Sequence, residues 1–161
     1  MTRHALVVPF PGLAPVVDEW RERTCATKPS HGMPPHVTLL VPSPGDVGAI
    51  TEALAPFGAF DVTFAAVDRF PGTVWLAPEP ARPFRELIEA LAATFPDHPP
   101  YGGVFSEVVP HLTVAQAELD AAAAEVGPWL PVRSRAEIAV LFEQVQPDHW
   151  RERATFDLEA A

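Results

Sequence analysis

A single cysteine, Cys25, is all that the 161 residues contain, so no disulfide can close within the chain, and the thiol fits a reducing compartment. Positive charge is also scarce. Eleven Lys and Arg stand against twenty-one Asp and Glu, a formal net charge of −10. A protein that holds long nucleic acid needs a basic surface to neutralise the phosphates. This balance offers none on average, so no long nucleic acid is expected as a partner. Long apolar runs are missing too. Ala5–Val8 is cut at once by Pro9 and Pro11, too short for a signal segment or a membrane span, and a cytoplasmic protein without a membrane partner is expected. There is no His-x-His, no His-Glu-x-x-His and no carboxylate cluster at ligand spacing, so neither a metal nor a cofactor is expected.

What is present is a globular composition, 48% apolar and 20% charged. No linker or low-complexity run divides it, and one domain is expected over residues 1–161. Alternation and β-rich composition predict strands over 3–10, 36–42, 60–70, 73–77, 111–116, 132–145 and 150–158. Helical periodicity predicts helices over 12–25, 46–57, 81–95 and 118–126. The 81–95 segment is the clearest, with Phe84, Leu87, Ile88, Leu91 and Phe95 on one face. Strands and helices alternate, but hairpins interrupt them, as at Pro71-Gly72. That order predicts an α+β fold rather than a doubly wound parallel sheet.

Two short segments are near copies. Pro35-His36-Val37-Thr38-Leu39 is followed 75 residues later by Pro110-His111-Leu112-Thr113-Val114. Side chains at i and i+2 leave the same face of a strand. Each copy therefore sets an imidazole beside a hydroxyl and turns Val37 or Leu112 into the core. One His-x-Thr alone is unremarkable among six histidines. Two copies, each with the same proline before and the same aliphatic spacing, suggest two similar lobes facing one another across a pocket. Such a pocket would hold two proton carriers and two hydroxyl donors, a set suited to phosphoester chemistry.

These stretches, PHVTLLVP from Pro35 and PPYGGVFSEVVPHLTVA from Pro99, resemble the two-histidine (2H) phosphoesterase superfamily near its 2'-5' RNA ligase-like branch. The hairpin from Phe60 to Pro78 and the segment Ile138 to Leu158 are also similar, so the resemblance spans most of the chain. It implies a bilobal α+β fold with antiparallel sheets, pseudo-twofold symmetry and a central cleft. It implies metal-independent action on 2',3'-cyclic phosphates or 2'-5' phosphodiesters. Position by position it implicates His36, Thr38, His111 and Thr113. The strong acidity is unlike RNA-handling members, and the expected substrate is a small phosphorylated nucleotide or an RNA end, handled by a monomer.

The groups themselves fit that chemistry. Histidine titrates near pH 6.5, so one imidazole can take a proton from water while the other gives one to the leaving oxygen. Threonine hydroxyls can donate to non-bridging phosphate oxygens. Tyr101 and Phe105, in the Gly-rich loop before the second motif, are candidates for stacking on a base. His4, His31, His98 and His149 are read as core or solvated histidines, and Cys25 as a buried thiol. Trp20, Trp75, Trp129 and Trp150 are read as core or hairpin packing. Arg69, Arg133, Arg135 and Arg151 are expected mostly to pair with carboxylates, and Glu107 to be plain polar loop. Two rival readings remain open: a non-catalytic module that binds a nucleotide or cyclic phosphate, and a metal site built on His36, His111 and a further histidine.

Overall fold

A computed structural model describes residues 2–99 and 108–158. Eight strands and four α-helices follow one another as β1 (His4–Pro9), α1 (Ala14–Thr24), β2 (His36–Ser43), α2 (Val47–Leu54), β3 (Phe60–Phe70), β4 (Thr73–Glu79), α3 (Arg82–Thr94), β5 (Leu112–Ala115), α4 (Leu119–Val126), β6 (Val132–Ala136), β7 (Ile138–Gln146) and β8 (His149–Asp157). The strands form one sheet in the order β6-β3-β4-β5-β2-β1-β7-β8, and every pairing is antiparallel.

The order is palindromic about the β5–β2 seam. On one side, β1 and β2 flank α1 in sequence, with β7 and β8 added outside. On the other, β4 and β5 flank α3, with β3 and β6 added outside. The fold is therefore α+β and bilobal, as the repeat suggested. The second lobe is contiguous, from β3 to β6. The first is assembled from β1–α2 and the later hairpin β7–β8. The helices are exchanged across the seam: α1 packs on β5 and α3 packs on β2.

The core follows from the alternation. Val37 and Leu39 of β2, Leu112 and Val114 of β5, and Val74 and Leu76 of β4 all turn to one face. There they meet Leu13, Val17 and Trp20 from the α1 side and Phe84, Leu87, Ile88 and Leu91 of α3. Phe10 makes edge-on contacts with Phe64 and Phe84 at centroid separations of 5.0 and 6.2 Å. A smaller cluster, Ala5, Val7, Met33, Val140 and Phe142, lies on the other face of the first lobe. Asp46 caps α2, its carboxylate accepting from the Ala49 N–H at 3.1 Å.

The strand expected over 132–145 is two strands. Ala136 and Ala139 are both core residues. A spacing of three instead of two breaks the alternation at Glu137, and the chain there leaves one edge of the sheet and enters the other lobe. The Trp129 reading is also corrected. The residue is 58% exposed, because it sits in the short turn after α4 rather than on a strand or hairpin.

The connection between α1 and β2 is pinned by Gly32. Its φ of +93° is left-handed, and a Cβ there would strike the Trp150 carbonyl oxygen at the start of β8. Gly72 has a similar φ of +81° but open space around it. Gly32→Ala should therefore lower unfolding free energy by more than about 2 kcal/mol, and Gly72→Ala by only about 1 kcal/mol. Urea denaturation of the two variants side by side checks the difference.

Candidate active site

The seam between the lobes builds the site. Val37 of β2 sits directly opposite Leu112 of β5, and both are fully buried on the helix-covered face. One residue to either side, the same register sets His36 across from Thr113 and Thr38 across from His111, on the opposite face. All four are partly exposed. Directly opposed side chains have Cβ atoms about 5 Å apart, and diagonal ones about 7–8 Å apart. The two imidazoles lie on one diagonal of this four-residue array, and the two hydroxyls lie on the other. That is room for one tetrahedral phosphate between the rings.

Each imidazole is anchored in the same way. His36 Nδ1 lies 2.8 Å from the Pro34 carbonyl oxygen, and His111 Nδ1 lies 2.7 Å from the Val109 carbonyl oxygen. A carbonyl can only accept, so Nδ1 carries the proton in both rings. In the neutral imidazole Nε2 then holds the lone pair. Identical contacts to the residue two before fix tautomer and ring angle in both lobes. Among the described residues, neither Thr38 nor Thr113 has a hydrogen-bond partner for its hydroxyl.

Burial is the main electrostatic influence on both rings. It pushes the His36 pKa down to about 4, with the Arg21 guanidinium and His111 pressing the same way and the Pro34 hydrogen bond opposing. His111 is also lowered, by burial, with its Val109 bond opposing. Phe70 and Trp75 flank His111 edge-on, at centroid separations of 5.1 and 5.8 Å, and stack on each other at 4.7 Å. Trp75 is the cross-strand neighbour of Thr113. Trp75 is itself buried, in hairpin packing as expected, and its place on the site face follows from its alternation with Val74 and Leu76, a signal present in the sequence. Arg21 is the other site neighbour that sequence reasoning passed over.

The remaining candidates fall elsewhere. Tyr101, Phe105 and Glu107 lie outside the described residues. Arg69, Arg135 and Arg151 pair with Asp120, Asp61 and Glu143 at 2.7, 2.7 and 2.8 Å, as their carboxylate-rich surroundings suggested. His4 is largely buried, with Nε2 3.7 Å from Glu143. Cys25 is buried, its thiol pushed up by desolvation and directed at the Val114 carbonyl. Among the described residues no three His, Cys, Asp or Glu side chains gather as a metal site would need. No helix among them is long and apolar enough to cross a membrane.

The lowered histidines tie stability to pH. The folded chain keeps His36 neutral down to about pH 4, whereas an unfolded chain binds that proton from about 6.5. This contribution is intact above about pH 6.5 and is lost progressively as pH falls toward 4. His36→Asn should flatten the loss, a difference that urea midpoints at pH 7 and pH 5 will show.

A family model described as the 2'-5' RNA ligase superfamily matches residues 9–148. A comparison with curated proteins finds no match. Among solved structures the fold is similar to that of E. coli LigT in its apo form, with a TM-score of 0.63, 16% identity and 98% of each chain covered. It is similar to TT0787 of Thermus thermophilus, with a TM-score of 0.64, 17% identity and 98% of each chain covered. LigT has also been solved with 3'-AMP, with NADP+ and with ATP. With the family model spanning both histidine motifs and the chain from the end of β1 to the end of β7, the chain belongs to the 2'-5' RNA ligase superfamily of two-histidine phosphoesterases.

Proposed function

We propose that the seam is the active site of a metal-independent phosphodiesterase. Its substrate is a 2',3'-cyclic phosphate or a 2'-5' phosphodiester on a small nucleotide or an RNA terminus. The observation that carries this reading is the pair of matched Nδ1 anchors at 2.8 and 2.7 Å, which leave two Nε2 atoms with the same tautomer on one diagonal. A site that only bound a nucleotide would have no need of two proton carriers fixed alike.

The chemistry runs on these groups. The phosphate sits between the rings, and Thr38 and Thr113 donate to its non-bridging oxygens as charge gathers there. One neutral Nε2 takes a proton from water while the water oxygen bonds to phosphorus. The other ring, protonated, gives its Nε2 proton to the ribose oxygen as the P–O bond breaks. Water is added across one P–O bond, and proton exchange with solvent resets the rings. The ligands solved in LigT, 3'-AMP, NADP+ and ATP, support a site of nucleotide size. The net charge of −10 favours a small or terminal substrate over a polymer.

His36→Ala and His111→Ala should each cut turnover of a 2',3'-cyclic nucleotide by about 10²–10⁴-fold with the fold intact. Thr38→Val and Thr113→Val should cost about tenfold to a hundredfold, and chelators should change nothing. Near-normal turnover in both histidine variants, or nucleotide binding with no turnover in the wild type, overturns the assignment.

The profile of kcat/KM against pH should be a bell. One histidine must be neutral and the other charged, and both titrate below 6.5 in the free protein. Activity should rise above about pH 4, then fall as pH climbs past the second, still depressed pKa. The maximum should lie on the acid side of neutrality.

A further inference from the structure

We infer that the nucleoside of the substrate lies on the second lobe, on an open shelf of the sheet made by Ala77, Ala66 and Asp68 beside the stacked pair Phe70 and Trp75. The inference rests on the proposed reading of the seam for the place of the phosphate. It adds the direction in which the rest of the substrate extends.

The pseudo-twofold allows the lobes to be compared position by position, with β1 matching β4 and β7 matching β3. Outward from Thr38 on the site face, the register gives Val7 of β1 and then Val140 of β7. Both are fully buried. Ala5, Met33 and Phe142 cluster with them, and Trp150 packs against the group. The first lobe has thus covered this part of its site face with its own side chains, which leaves no room for a sugar or a base.

The same steps in the second lobe end differently. Outward from Thr113 come Trp75 of β4 and then Asp68 of β3. The next row runs from His111 to Ala77 and then to Ala66. Trp75 is buried, but Ala77 is only half-buried, and Ala66 and Asp68 are exposed. Two methyl groups keep the surface low beside His111. Phe70, stacked on Trp75 at 4.7 Å, bounds it with an aromatic edge. A low apolar floor with an aromatic border suits the flat face of a base or a ribose.

Asp68 supplies the polar contact. Its Oδ1 accepts from the Arg69 N–H at 2.7 Å, while the Arg69 guanidinium turns to Asp120. Among the described residues no cation pairs with the Asp68 carboxylate. A carboxylate only accepts, so it selects ribose hydroxyls or base amino groups rather than a second phosphate.

A cavity of about 480 Å³ in the first lobe is the rival place, lined by Pro9, Gly12, Pro34, Glu137, Ile138 and Glu152 among others. It borders Pro34, on the Nδ1 side of the His36 ring, where the Pro34 carbonyl takes up that nitrogen. The phosphate belongs on the Nε2 side.

Calorimetric titration of the full chain with adenosine 3'-phosphate and, separately, with inorganic phosphate tests the shelf. The wild type should bind the nucleotide more tightly than phosphate. Ala66→Ile fills the shelf at an exposed strand position and offers no ring to stack on. It should weaken the nucleotide by about tenfold and leave inorganic phosphate unchanged. Asp68→Ala should also lower the preference for the nucleotide over phosphate. Gly12→Leu fills the rival cavity, where a Cβ meets nothing within 4 Å, and should change neither affinity. A wild type without preference for the nucleotide overturns the inference. So does a preference that survives both Ala66→Ile and Asp68→Ala, or one that is lost in Gly12→Leu instead. Should Ala66→Ile not fold, Asp68→Ala and Gly12→Leu decide. A wild type that shows the preference yet hydrolyses neither a 2',3'-cyclic nucleotide nor a 2'-5' diester defeats the catalytic reading and leaves the shelf standing.

Discussion

The placement of Val37 opposite Leu112 is the constraint from which the site follows. This one antiparallel pair sits where the pseudo-twofold axis crosses the sheet, with both side chains buried on the helix face. Alternation leaves the neighbours on either side no choice but the opposite face. A repeat 75 residues apart in sequence thereby becomes a four-cornered array, about 5 Å across the strands and about 7 Å along them. A slip of one residue would bury the imidazoles and expose the aliphatics, so the same burial that stabilises the seam also specifies its register.

So short a ladder is a thin join between lobes. The exchanged helices reinforce it, since α1 lies on β5 and α3 on β2. Prying the lobes apart would uncover the apolar faces of both helices together. The floor of the site is therefore set by the core, and the two Nδ1 anchors carry that rigidity to the rings.

Much of this was legible from the chain. The doubled His-x-Thr pattern named the four residues at the seam, and the hairpin at Pro71-Gly72 and the helix over Phe84–Leu91 stand where periodicity put them. The break at Glu137 was written in the phase of the buried positions, but two adjoining β-rich runs mask a phase change. Trp75 could be placed on the site face by its alternation with Val74 and Leu76, yet nothing local says which strand lies beside it. Arg21 was illegible for a different reason. On a helix it sits among Asp18, Glu19, Glu22 and Arg23 and looks like solvated surface. Only the return of the Thr27–Met33 connection over α1 encloses it.

The two lobes also differ in how the chain supplies them. One is a single uninterrupted stretch from β3 through β6, whereas the other needs β7 and β8 to complete what β1 and β2 began. As the nascent polypeptide leaves the ribosome, the half bearing His111 can gather all its strands first. The half bearing His36, though started earlier, must wait with β1 unpaired on its outer edge until the β7–β8 hairpin emerges. Maturation thus runs opposite to the order of the motifs, and the cleft becomes whole only when the later hairpin has docked.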